Sequence, residues 1–134
     1  MTSSKIAITL SHLGDLTVGY RLSNNKLDPS KPTLVCLNSM CMTTALFTPQ
    51  FEDPDLSSTL NILAIEPLGH GSTSFPSKAA HFTYWDSAAV ALEVMTALGV
   101  EKAFALGTSQ GGWMVVRMSL LAPERILGLL PLGT

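Results

Sequence analysis

Three short apolar runs, at residues 33–37, 60–65 and 102–106, most constrain what this chain can fold into. None of them alternates apolar with polar residues, which is the pattern of strands buried on both faces inside a parallel sheet. Parallel neighbours must be joined by crossovers, and the sequence supplies helical ones. Thr83 followed by Asp86 is a capping-box spacing, and Trp85, Ala88, Ala89, Leu92 and Met95 then recur at helical intervals as far as Gly99, a natural C′ residue. Residues 110–121 form a second helical pattern with Trp113, Val116 and Leu120 on one face, ended by Pro123, and residues 126–130 are a last apolar run. Ahead of these, residues 5–10 and 16–22 alternate around a Gly14-Asp15 turn and predict a hairpin, followed by a polar loop over 24–32 carrying Pro29 and Pro32. The order β-β-β-(loop or helix)-β-α-β-α-β predicts an α/β layered fold with a mostly parallel sheet and an N-terminal antiparallel hairpin.

Composition narrows the function classes. The chain has 134 residues, of which 46% are hydrophobic and 13% charged, against about 25% charged in an ordinary soluble domain. The length allows one domain at most. The formal net charge is −2 and the Lys and Arg residues are scattered singly, so there is no basic stripe to neutralise phosphates or an anionic membrane, and a nucleic-acid partner is not expected. A spanning helix needs about 18 consecutive apolar residues; Glu93 interrupts residues 88–100, and Arg117, Glu124 and Arg125 interrupt 115–132. Residues 1–10 lack the apolar core of a signal peptide, so a cytoplasmic location is expected. Cys36, between Val35 and Leu37, reads as a buried free thiol, and with Cys41 as the only other cysteine the composition suits a reducing compartment.

The segment that carries chemistry is KAFALGTSQGGW, residues 102–113, which sets Gly107-Thr108-Ser109-Gln110-Gly111 between a strand and a helix. A serine on such a sharp turn takes a strained backbone, and the residues two positions away on either side must be small to let the chain pass itself. Gly107 and Gly111 meet that need. The helix N-terminus behind Ser109 supplies N–H donors and the positive end of a dipole, and the Gln110 N–H is a candidate oxyanion donor. A glycine-rich turn of this kind also builds nucleotide sites, but GTSQGG fits neither G-x-G-x-x-G nor G-x-x-x-x-G-K-[ST]. A small nucleotide-binding α/β domain is thus the weaker alternative, and no metal or organic cofactor is expected.

With these residues in place, the stretch 32–134 resembles the front half of the α/β-hydrolase superfamily, with lactonase- or esterase-like serine hydrolases as the nearest flavour. Residues 33–38 resemble the strand entering the oxyanion loop, where relatives often read His-Gly and this chain has Asn38-Ser39-Met40. Serine tolerates positive φ far less readily than glycine. LAIEPLGHGSTS, residues 63–74, resembles the following strand and its G-H-G-x-S loop. The resemblance implies that Ser109 is the nucleophile, that Met40 N–H is the second oxyanion donor beside Gln110, and that His70 is a structural loop residue. Met40, Met42 and Phe47 around the oxyanion loop suggest an apolar acyl pocket, hence a small apolar ester, lactone or thioester as substrate. The chain also resembles a fungal group of hydrolases from host-selective-toxin biosynthesis. Full-length members of that group carry a C-terminal peroxisomal tripeptide, whereas this chain ends Leu132-Gly133-Thr134.

A serine nucleophile needs a base and a carboxylate to orient it, and in this fold they follow the serine in chain order. Residues 110–134 contain one acidic residue, Glu124, and no histidine. Glu124 reads as a surface partner of Arg125, and His12, His70 and His81 all precede the motif. The expectation is a single truncated domain over 1–134, with its hairpin at 5–22 and its core at 32–134, that holds the nucleophile half of a catalytic apparatus and is itself inactive. The alternative is a non-catalytic module that binds a ligand or a partner, or associates with itself, through an uncovered final strand. The scarcity of charge fits the sheet-forming front of a larger hydrolase.

Overall fold

The structure, a computed structural model, describes residues 3–76 and 81–134. Strands β1 (Ser4–Leu10), β2 (Gly14–Leu22), β3 (Thr33–Leu37), β4 (Asn61–Ile65), β5 (Ala103–Thr108) and β6 (Ile126–Leu132) form one sheet in the order β1-β2-β4-β3-β5-β6. β1 pairs antiparallel with β2, and β2 with β4; β3 runs parallel to both β4 and β5, and β5 to β6. The mostly parallel sheet with an N-terminal antiparallel hairpin agrees with the sequence reading.

Local chemistry sets the element ends. The hairpin turns at Ser11, His12 and Leu13, closed by Leu13 N–H to the Leu10 carbonyl at 3.2 Å, so Gly14 is not in the turn but opens β2 at φ +83°. Between β3 and β4 lie a 3-10 turn (Thr44–Phe47), α1 (Thr48–Glu52) and α2 (Pro54–Thr59), the last capped by Asp53, which accepts from Asp55 N and Leu56 N at 2.9 and 3.0 Å. Helix α3 (Tyr84–Ala97) starts with the capping box of Thr83 and Asp86 and stops at Gly99, φ +77°. Helix α4 (Gln110–Leu121) follows β5 after one residue, Ser109.

The two faces of the sheet are covered unequally. On one face Val35, Leu37, Leu63, Ile65, Ala103 and Ala105 pack against Val90, Val94 and Met95 of α3 and Met114, Val115 and Met118 of α4; each large side chain buried there contributes about 1.5–3 kcal/mol. On the other face Phe47 and Phe51 cover Leu34, Cys36, Ile62 and Ala64, which belong only to β3 and β4. The consequence departs from the sequence reading. On this face β5 is covered only in part: Leu106 is half-buried against the Phe47–Phe51 cluster, while Phe104 is exposed, because the short α1–α2 segment does not cover it. β6 exposes Leu127, Leu129, Leu130 and Leu132. Cys36 is fully buried, and desolvation pushes its thiol up to about 12. No helix of the described residues is long and apolar enough to cross a membrane.

The sheet order places β4 on one side of β3 and β5 on the other. Such a reversal opens a crevice outside the carboxyl ends of the strands, where the loops after β3 and β5 meet.

Candidate active site

Ser109 lies at that crevice, solvent-exposed, with φ +51° and ψ −118°. This backbone region is almost reserved for glycine and costs a serine about 1–3 kcal/mol. Its neighbours explain how the turn is held. A Cβ on Gly107 would collide with the Gly111 carbonyl, and one on Gly111 would collide with the Leu37 carbonyl at the end of β3. The strand, the turn and the helix therefore touch backbone to backbone, and no larger residue fits at either glycine. Two further bonds fix the serine: its N–H donates to the Leu132 carbonyl at 2.8 Å, and its carbonyl accepts from Gly112 N at 2.9 Å. The Ser109 side chain makes no capping bond to α4. Gln110, 5% exposed, is the first residue of α4, so its backbone N–H has no intrahelical acceptor.

The loop after β3 is tied to this turn. Ser39 Oγ lies 2.8 Å from Thr108 Oγ1, which joins the residue before Met40 to the residue before Ser109. Met40 is the second residue of a turn closed by Met42 N–H to the Ser39 carbonyl at 3.2 Å, and the buried Asn38 side chain donates to the Ser39 and Met42 carbonyls at 3.0 and 2.9 Å. The positive φ that glycine supplies in such loops falls on Cys41 (+60°), not on Ser39. Phe47 does not line the site: it is 2% exposed and packs beneath β3 and β4, while Met40 and Met42 are open to solvent.

The third loop, after β4, is built on Glu66. This carboxylate is 3% exposed and accepts from Ser72 N at 2.7 Å, Ser72 Oγ at 3.0 Å and Thr44 Oγ1 at 3.3 Å. Thr73 Oγ1 donates to the Glu66 carbonyl at 2.7 Å and accepts from Gly19 N at 3.0 Å, fastening the loop to the hairpin. Sequence reasoning passed over Glu66; the signal was a single carboxylate between Ile65 and Pro67, directly after a buried strand.

None of the three histidines is bonded to Ser109. His12 pairs with Asp86 at the start of α3. Burial raises the Asp86 pKa, but hydrogen bonds from His12 and Thr83 outweigh it and hold the carboxyl below its usual 3.8. His81 is exposed in the segment before α3. His70 Nδ1 lies 3.0 Å from the Leu68 carbonyl and Nε2 lies 2.9 Å from Gln110 Nε2, so both ring nitrogens are engaged. Glu124 is exposed, and Arg125 does not pair with it: the guanidinium donates to the carbonyls of Leu92, Val100 and Glu101 and to Thr96 Oγ1 at 2.8–3.2 Å, closing the C-terminal end of α3. Four carbonyl and hydroxyl acceptors, two in the last turns of α3 and two in the segment just after it, outcompete a single exposed carboxylate.

Beside the turn, Leu68, His70, Phe82, Thr83, Tyr84, Gln110 and Met114 line an open cavity of about 280 Å³. A cavity of about 390 Å³ at the amino ends of β3 and β4 is lined by Asp28, Lys31, Asn61 and Glu101 and lies at the opposite edge of the sheet from Ser109. Among the described residues no three His, Cys, Asp or Glu side chains are grouped to hold a metal ion.

Comparison with known proteins adds the following. Residues 32–134 match the family described as alpha/beta hydrolase fold. A 2-heptyl-3-hydroxy-4-quinolone dioxygenase from Rhodococcus erythropolis is 29% identical over 79% of this chain and 36% of its own length. A protein of Stutzerimonas stutzeri named for carbamate hydrolysis is 25% identical over 82% of this chain and 40% of its own. The crystal structure of a hydrolase from Pseudomonas aeruginosa superposes with a TM-score of 0.77 at 30% identity, over 93% of this chain and 44% of that one. The chain thus spans about two fifths of the length of the curated relatives it matches.

Proposed function

The chain belongs to the alpha/beta hydrolase fold family, and on that premise we propose that Ser109 is a nucleophile for acyl transfer from a small apolar ester, lactone or thioester, lacking its base within these 134 residues. The observation that carries this reading is the Ser109 backbone at φ +51°, walled in by Gly107 and Gly111, at the start of α4. A strained, exposed serine in front of a helix N-terminus is the arrangement that presents Oγ to a carbonyl and N–H donors to the resulting oxyanion. Gln110 N–H is the first donor, and Met40 N–H the second, brought to the same crevice by the Ser39–Thr108 bond. Gly107 and Gly111 are structural partners of the turn. The cavity lined by Leu68, Phe82, Tyr84 and Met114 takes the place assigned from sequence to Met40, Met42 and Phe47 as the apolar acyl pocket. The relatives are named for different reactions, so the substrate class is read from this cavity; the lactonase- or esterase-like character and a role in secondary metabolism belong to the same proposal. No metal or cofactor takes part in it.

Mechanistically, Oγ must lose a proton as it attacks, and at its own pKa a serine does so poorly. His70 cannot take that proton while its Nε2 lone pair is occupied by Gln110. Hydrolysis of p-nitrophenyl esters with added imidazole as a surrogate base tests the reading. Without imidazole the 134-residue chain is expected to turn over no faster than its Ser109→Ala variant; with imidazole, once the ester hydrolysis that imidazole causes without protein is subtracted, only the unaltered chain should accelerate. Equal acceleration of both would remove Ser109 as the nucleophile, and robust turnover without imidazole, lost in Ser109→Ala, would overturn the missing base.

A second reading is favoured by β6, whose Leu127, Leu129, Leu130 and Leu132 are exposed at the sheet edge. Such an edge is a template for strand pairing, and the non-catalytic alternative uses it for self-association or a partner. Sedimentation velocity discriminates: concentration-dependent dimers support it, and a compact monomer at high concentration counts against it.

A further inference from the structure

The geometry points to His70 as a positioning residue that holds Gln110, and with it the oxyanion donor, through one fixed tautomer of its ring. This inference rests on the reading of Ser109 and Gln110 given above. A backbone carbonyl can only accept, so the 3.0 Å contact between His70 Nδ1 and the Leu68 carbonyl places the hydrogen on Nδ1. A neutral imidazole then has a lone pair on Nε2, and the group 2.9 Å away is the amide nitrogen of Gln110, a donor. The two contacts agree with each other in only this arrangement: Leu68 carbonyl, Nδ1–H, Nε2 lone pair, Gln110 N–H. The ring is therefore a relay between the loop after β4 and the first residue of α4.

Position gives the relay its consequence. Gln110 is 5% exposed and adjoins Ser109, whose φ of +51° is a conformation the chain does not hold unaided. The loop carrying His70 is anchored at its other end by the buried Glu66, through Ser72 and Thr73. Hydrogen bonding thus runs from the β4 loop through the ring to the residue whose backbone N–H faces the oxyanion. A histidine used in this way is not available as the base, which accounts for its place near the nucleophile without a catalytic role.

The test is nuclear magnetic resonance on the full 134-residue chain labelled with nitrogen-15, at a pH where the ring is neutral. Long-range proton–nitrogen correlations are expected to show His70 as the Nδ1–H tautomer, whereas an unconstrained imidazole favours Nε2–H. In Gln110→Leu the Nε2 resonance should move and the Nε2–H form should grow. His70→Leu should shift the backbone amide resonances of Ser109, Gln110 and Gly111, and His70→Asn, which keeps an acceptor for Gln110, should restore most of that shift. An Nε2–H tautomer in the unaltered chain, or amide resonances of the turn indifferent to His70→Leu, would overturn the inference. These spectra do not depend on Ser109 reacting, so a failure of the nucleophile reading shows only in the ester assay and a failure of the His70 inference only here.

Discussion

Of the three loops at the crevice, those after β5 and β4 are held by different means. The β5–α4 turn is fixed by backbone contact: Gly107 against Gly111, Gly111 against the Leu37 carbonyl, Ser109 N–H on Leu132. The β4 loop has backbone hydrogen bonds of its own, such as Thr73 N–H to the His70 carbonyl, but is tied to its surroundings largely by side chains: Glu66 on Ser72 and Thr44, Thr73 on Gly19, His70 on Gln110. Backbone contact leaves no slack, since a Cβ cannot rotate away, whereas a side-chain bond can be replaced by a longer one or by water. The turn that presents the nucleophile should thus respond to substitution abruptly, and the loop facing it by degrees.

The sharpest way to break this contrast is Gly111→Ala. Its added Cβ meets main chain that cannot move, so the expected loss is about 4 kcal/mol, in the range reserved for severe core damage. Gly99→Ala is the control: Gly99 has φ +77° but open space around it, and should lose only about 1 kcal/mol from the left-handed conformation. Urea denaturation midpoints compare the two, and equal losses would show that the approach to the Leu37 carbonyl adds nothing to the cost at Gly111. On the loop side, Glu66→Ala leaves the Ser72 N–H and the Thr44 hydroxyl without their acceptor and should cost about 2–3 kcal/mol, with Glu66→Gln losing less because it keeps one acceptor oxygen. A loss in Glu66→Ala as large as that in Gly111→Ala would erase the distinction between the loops.

A gain in stability sharpens it further. Ser109→Gly releases the strain at φ +51° and should stabilise the chain by about 1 kcal/mol, the relief being partly offset by the greater freedom of an unfolded glycine. A destabilised Ser109→Gly would mean that the turn is not strained. The smallest effect is expected away from the crevice, at the His12–Asp86 pair between the hairpin turn and α3. His12→Ala should cost about 0.5 kcal/mol near neutral pH, as exposed pairs do. Because the folded Asp86 pKa is below its ordinary 3.8, the Asp86 contribution is complete above that value and is lost as pH falls through the lower folded one. Acid denaturation of the unaltered chain should therefore steepen below about pH 3.8 more than that of His12→Ala.

Most of the fold was legible because burial is written in composition. The runs at 33–37 and 60–65 are apolar but for Thr33 and Asn61, and they hold the fully buried strands β3 and β4. The capping box at Thr83 and the stop at Gly99 were equally plain, being local chemistry. What escaped depends on contacts between distant residues. That Phe104 would be exposed follows from α1 and α2 covering β5 only at Leu106, which no pattern around Phe104 records. That Gly14 would open a strand follows from a three-residue turn whose sequence, Ser11-His12-Leu13, carries no turn signature. At the site, the G-x-S-x-G spacing marked Ser109 and its two glycines, because chain crossing demands small residues at fixed offsets. The His70–Gln110 bond was invisible because the two residues lie in different segments, Glu66 was marked only by its place after a buried strand, and Arg125 was assigned to its sequence neighbour when its acceptors are at the end of α3 and just beyond it.

The central proposal, that the turn at Ser109 presents a nucleophile with no base among the described residues, is tested most directly by covalent capture. The chain is treated with an alkyl fluorophosphonate, which loses fluoride to an attacking serine oxygen, with and without imidazole, and the modified residue is located by peptide mass spectrometry. The account predicts an adduct on Ser109 in preference to the other exposed serines, such as Ser3 and Ser11, formed at least about tenfold faster with imidazole present. Labelling spread evenly over the exposed serines, or unchanged in Ser109→Ala, would contradict it.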